Sequence, residues 1–178
     1  MIDPIRELTI RAAILHRRLN AGDPLALPRL SILPEFRREP VARLATLAPR
    51  VKRRHCLTIL ARELGFAGWL HAKSVISGAD DVSDFGTLLY PKSCGFLNLW
   101  YSSYHDAVTG QRASHGYLLA YRRHFMVVQA PFIEWLGLDP AAAEWRRLGY
   151  DWVRPLDVGA RTRLYGALIA RMPREGRP

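Results

Sequence analysis

The sequence predicts an α+β chain: a helical N-terminal part followed by a small β-α-β unit padded by helices. Three observations carry that reading. Apolar residues recur at helical spacing through residues 1–77. From residue 96 the pattern changes to runs rich in aromatic and β-branched residues. Between them lies a stretch dominated by Gly, Ser, Asp and Pro. The chain therefore divides into a basic helical region at 1–77, a linker at 78–95, a small α+β unit at 96–172 and a frayed tail at 173–178. With 178 residues, 49% of them apolar and 24% charged, it can bury one sizeable core and does not have the composition of a disordered chain.

Asp3-Pro4 is a helix start: a side chain that accepts from free amides, then a proline at the first helical position. Ile5, Leu8, Ala12, Leu15 and Leu19 follow at helical spacing, and Asn20-Ala21-Gly22 ends the run. Asp23-Pro24 repeats the signal, but Pro28 and Pro34 keep the next pieces short. Val41 to Ala48 forms a third helix. Val51 to Leu64 forms the strongest, with Cys56, Ile59, Leu60, Glu63 and Leu64 following one stripe and Gly65 closing it. A short fifth helix covers about Gly68 to Ile76. The linker holds Asp80, Asp81 and Asp84, whose spacing is not that of a calcium loop.

Past the linker, Gly95 to Ser102 reads as an aromatic strand, Tyr104 to Ser114 as a helix or an extended loop, and Tyr117 to Val128 as a second strand. Pro131 to Leu136 begins a short helix, and Asp139-Pro140 opens another that ends at Gly149. Tyr150 to Pro155 is a short strand or anchored loop, and Asp157 caps a last helix reaching about Arg171.

The second strand poses a problem. On alternating faces, Tyr117, Leu119, Tyr121, Arg123, Phe125 and Val127 oppose Leu118, Ala120, Arg122, His124, Met126 and Val128. Both faces are apolar at the ends and basic in the middle. Three arrangements relieve this: an edge strand, a bend at Arg122-Arg123, or an arginine that reaches an internal partner, with Asp151 as the candidate carboxylate. The same residues raise a ligand-site alternative, an anion pocket built from Arg122, Arg123, His124 and Tyr121.

The net charge of +10 points to an acidic partner, nucleic acid first. The charge is uneven. Residues 1–77 carry 14 basic and 6 acidic side chains, and residues 78–178 carry 12 and 10. Arg50, Lys52, Arg53 and Arg54, with Lys73, are therefore the candidate phosphate-contacting residues. The segment Leu57 to Ile76 invites comparison with a DNA-reading helix-turn-helix, for Ala61 fits the small residue inside the first helix, Gly65 fits the turn, and Leu60, Leu64 and Phe66 fit as well. His71, however, stands where that motif needs an apolar residue.

Leu60-Ala61-Arg62-Glu63-Leu64-Gly65-Phe66, with Trp69 and Lys73, resembles the LAREaGFxSWxxLK helical hairpin of uncharacterised bacterial proteins, where it often precedes ankyrin-type repeats. The resemblance covers about residues 50–76, implies a helical hairpin and brings no activity with it. No ankyrin repeat follows here.

Other chemistry finds weaker support. Cys94, before a glycine, is a candidate nucleophile without a base at a diagnostic spacing, and Cys56 sits in an apolar stripe. The six histidines form no metal-binding motif. Hence no catalytic residue, metal or cofactor is assigned. Two cysteines, no long apolar run and no leader-like start suggest a cytoplasmic protein with reduced thiols and no membrane partner. The leading reading is a non-enzymatic binding protein contacting nucleic acid. A small-anion site or enzyme in the C-terminal unit and a module that docks a protein partner are the alternatives.

Overall fold

The computed structural model describes residues 2–79, 82–91 and 95–172. Asp80, Asp81, Cys94 and the tail at 173–178 lie outside them.

Helix α1 (Pro4–Asn20) begins as its sequence dictates, the Asp3 carboxylate accepting from the amides of Ile5 (2.9 Å) and Arg6 (3.1 Å). The prolines that follow restrict the chain to two 3-10 turns, Leu27–Ile32 and Pro34–Phe36. Helix α2 (Val41–Leu47) and a further 3-10 turn (Ala48–Arg50) lead into α3 (Arg53–Glu63) and α4 (Trp69–Ser77). Gly65, at φ 87, makes the turn between α3 and α4, where a Cβ would lie 2.0 Å from the Thr87 hydroxyl. Side chains of α1, the 3-10 turns, α2 and α3 form a local core around Leu15, Leu19, Leu30, Leu44 and Ile59.

Strand β1 is only Leu99–Tyr101, shorter than its aromatic run suggests. Helix α5 (Tyr104–Ser114) resolves the open choice between helix and loop. Gly110, within this helix, has a packing role, since a Cβ there would lie 2.0 Å from the Tyr101 hydroxyl.

The expected second strand is two strands. β2 (Tyr117–Tyr121) and β3 (His124–Val128) form an antiparallel hairpin with Tyr121 opposite His124, so Arg122-Arg123 is its two-residue turn. Of the three arrangements weighed for one continuous strand, none included this complete reversal at the arginines. The sheet order is β1-β3-β2, antiparallel throughout. Beyond β2, Leu118 makes a parallel bridge to Asp151, with the Leu118 amide donating to the Tyr150 carbonyl and the Trp152 amide to Leu118, both at 2.9 Å.

The reversal also changes which side chains share a face. A continuous strand separates Leu119 from Met126, whereas the hairpin pairs them. Leu119, Met126 and Val128 enter the main core with α6 (Ala130–Trp135), α7 (Ala143–Arg147) and α8 (Val158–Arg171). Leu118 and Val127 face α5 through Ala107. Trp145, Trp152, Tyr165 and Phe132 are the bulkiest members of the main core, which also takes Leu8 from α1, Ala72, Val75 and Ile76 from α4, and Leu88 and Leu89 from the connecting segment. Each fully buried Leu, Ile or Phe there contributes roughly 1.5–3 kcal/mol. Among the described residues, no helix is long and apolar enough to cross a membrane.

Candidate functional site

Arg122 and Arg123 are exposed because their hairpin turn leaves the sheet, so neither face has to bury them. Arg122 adopts φ 52, a conformation uncommon outside glycine. Its backbone is anchored: the amide donates to the Gly86 carbonyl at 2.7 Å, and its carbonyl accepts from the Phe85 amide at 2.9 Å. The turn then sends its side chains to different places. The Arg122 guanidinium lies 5.6 Å from the Tyr121 ring centroid and borders a cavity of about 410 Å³ with Arg62, His71 and Asp84. Arg123 instead lines the largest of the described cavities, about 690 Å³. Tyr121 packs edge-on against Tyr90 and Trp100, and His124 is exposed. The four residues proposed as one anion pocket therefore do not converge. Only Arg123 reaches the large cavity.

Two further arginines meet it there. Arg154 comes from the segment after Trp152, and Arg161 from the first turns of α8. Ser102 and Tyr104 come from the β1–α5 junction, and Gly78 from the C-terminal end of α4. Phe85, Phe125, Val75, Val82, Val153 and Val158 add apolar surface to a lining that is otherwise largely polar and cationic.

Arg161 is the unusual member. It is 4% exposed. Its Nη1 donates to the Trp152 carbonyl at 3.0 Å and, at longer range, to Val153 at 3.5 Å. Its Nε is buried without an acceptor. The other two buried arginines are neutralised: Arg11 by Glu7 at 2.8 Å, and Arg29 by both oxygens of Glu63 at 2.7 and 2.6 Å. Among the described residues, no carboxylate pairs with Arg161, Arg154 or Arg123. A buried charge without a counter-charge is costly. Gly78 makes room for this one, for at its φ of 78 a Cβ would lie 2.3 Å from Arg161 Nη2.

Asp151, expected to neutralise Arg122 or Arg123, has a different task. It accepts a short hydrogen bond from the Tyr104 hydroxyl, and its other oxygen accepts from the amides of Val153 (2.8 Å) and Arg154 (2.9 Å). The Arg154 guanidinium stacks 4.3 Å from the Tyr104 ring centroid. One carboxylate thereby fixes both the ring and the backbone that carry Arg154. Burial foremost, then the hydrogen bond and negative charge of Asp151, push the Tyr104 phenol well above its ordinary range.

The candidate nucleic-acid residues lie elsewhere. Arg50 ends a 3-10 turn, Lys52 caps α3, and Arg53 and Arg54 occupy its first turn; all four are exposed. Arg53 makes a 3.5 Å contact with the Thr9 carbonyl, and Arg54 one of 3.4 Å with His55. Among the described residues no carboxylate pairs with these cations, which stand at the positive end of the helix dipole. Lys73 is exposed in α4, beyond the other end of α3. His71 is not available to read bases: its Nδ1 accepts from the Ala67 amide at 3.0 Å, so its Nε2 donates to the Asp84 carbonyl at 2.7 Å. Cys56 is fully buried, and burial raises its thiol to about 11, which removes it as a nucleophile. The candidate nucleophile Cys94 lies outside the described residues.

Sequence reasoning passed over Arg154 and Arg161. A signal for Arg161 existed: it falls on the stripe of Leu164, Tyr165 and Leu168, where a helix faces the core. Nothing in the order of residues joins it to Arg123.

No protein-family model, curated protein or solved structure matches this chain.

Proposed function

We propose that this protein binds an anionic ligand in the cavity lined by Arg123, Arg154 and Arg161. One observation carries the reading: Arg161 is a buried guanidinium without a carboxylate among the described residues, on the wall of the largest described cavity. An anion there would supply the missing counter-charge, while Arg123 and Arg154, both exposed, would draw it in from solvent. Titration calorimetry with inorganic phosphate and sulfate at low salt tests this. Binding is expected, with a loss of about tenfold or more in an Arg123→Ala/Arg154→Ala double variant. Absence of any anion binding by the folded protein would overturn the proposal.

A second reading concerns nucleic acid. It is supported by the exposed cations Arg50, Lys52, Arg53 and Arg54 clustered at one end of α3. Such contacts go to phosphates, so binding would be weakly sequence-specific and fall steeply with salt. A gel-shift series across ionic strength should show this, with Arg53→Ala/Arg54→Ala reducing the slope of log K against log salt by about 2. No shift at the lowest salt would remove the reading.

A further inference from the structure

We infer that the ligand of the arginine cavity is an amphiphile: a carboxylate or phosphate head carried on an apolar body. This rests on the anion-binding proposal and makes it more specific.

The argument is one of matching surfaces. A bare inorganic anion occupies a small part of a cavity of about 690 Å³. Sites of this size take organic ligands, whose bodies meet apolar walls while a few polar groups fix the orientation. Here Phe85, Phe125, Val82, Val153 and Val158 supply such a wall. Water against those side chains is displaced at a gain when an apolar body replaces it. The cations are graded in depth, Arg161 being 4% exposed while Arg123 and Arg154 are open to solvent. The head pairs with Arg161, where exclusion of water makes the ion pair strongest, and the body lies along the wall. Gly78 is part of the design, since any larger residue would displace the guanidinium.

The test is calorimetry on the full chain with matched probes: acetate against octanoate, inorganic phosphate against phenyl phosphate, and benzyl alcohol as a neutral body. Octanoate and phenyl phosphate should bind about tenfold or more tightly than acetate and phosphate, and benzyl alcohol should bind far more weakly than phenyl phosphate. Val82→Asn/Val158→Asn should erase that advantage, so that octanoate and phenyl phosphate bind no more tightly than acetate and phosphate. Arg161→Gln should abolish binding of both heads. If that variant unfolds, Arg161→Lys keeps the charge and should lose most of the affinity while melting as a folded protein. Equal affinity for heads and amphiphiles would overturn the inference and leave the anion site standing. Equal affinity for benzyl alcohol and phenyl phosphate, unaffected by the arginine variants, would overturn the anion site itself. No binding of any probe would overturn both.

Discussion

Arg11, Arg29 and Arg161 are the same residue type in the same kind of place, buried against a core, yet they differ in how their charge is met. Two rest on glutamates; the third is left to backbone carbonyls and the cavity. That difference, more than the total charge, is the ground for the proposed anion site. The same scale governs Tyr104. Its folded phenol is held above the ordinary value by burial and by Asp151, so the neutral form is favoured in the fold. The stability gained from this is fully present below the unfolded phenol value of about 10 and is lost as pH rises through the folded value. Denaturation midpoints measured across the alkaline range should therefore fall for the native chain. In Tyr104→Phe the fall should be shallower, and a parallel decline in both chains would refute the assignment.

At the scale of elements the hairpin decides most. Its two-residue turn takes Arg122 and Arg123 out of the sheet, aims them into separate cavities and puts Leu119 and Met126 on one face. The turn requires φ 52 at Arg122, a conformation glycine adopts freely. Arg122→Gly should accordingly be neutral or stabilise by about 0.5–1 kcal/mol, with no effect on ligand binding in the larger cavity. Arg122→Pro, which fixes φ near −65° and removes the amide bonded to Gly86, should cost about 3 kcal/mol or more in urea unfolding. Comparable stability in the two variants would show that the backbone of the turn does not matter. The two-strand solution was hard to read because the turn lacks the Asn, Asp or Gly that usually announces one. By contrast, α1 and α8 were legible to within a residue or so, since Asp3-Pro4 and Asp157 are local caps that act through neighbouring amides.

Across the whole molecule, helices from the N-terminal part and the sheet share one core, with Leu8, Val75 and Ile76 packed among Leu119, Phe132, Trp145 and Trp152. The Arg29–Glu63 pair ties the 3-10 segment to the end of α3 within this architecture, at 9% and 15% side-chain exposure. Removing one partner strands the other's charge. Glu63→Ala should therefore cost about 3–5 kcal/mol in denaturant unfolding, and an Arg29→Met/Glu63→Leu pair should restore much of it. If the single variant is as stable as the native chain, the pair is not desolvated in solution.

What the sequence determined by itself was what neighbouring residues can settle: helix starts and stops, the apolar stripes, the α+β class, and the concentration of positive charge before residue 78. These follow from backbone hydrogen bonding and periodicity within a few turns of chain. The tertiary structure alone decided that Arg123, Arg154 and Arg161 line one cavity, that Asp151 serves Tyr104 rather than the arginines of the turn, and that Gly78 clears space for a guanidinium. The physical reason is that charge compensation is a matter of distance in space. A carboxylate far along the chain can neutralise a buried arginine, as Glu63 does for Arg29, and that no carboxylate among the described residues does so for Arg161 becomes visible only when the chain has folded.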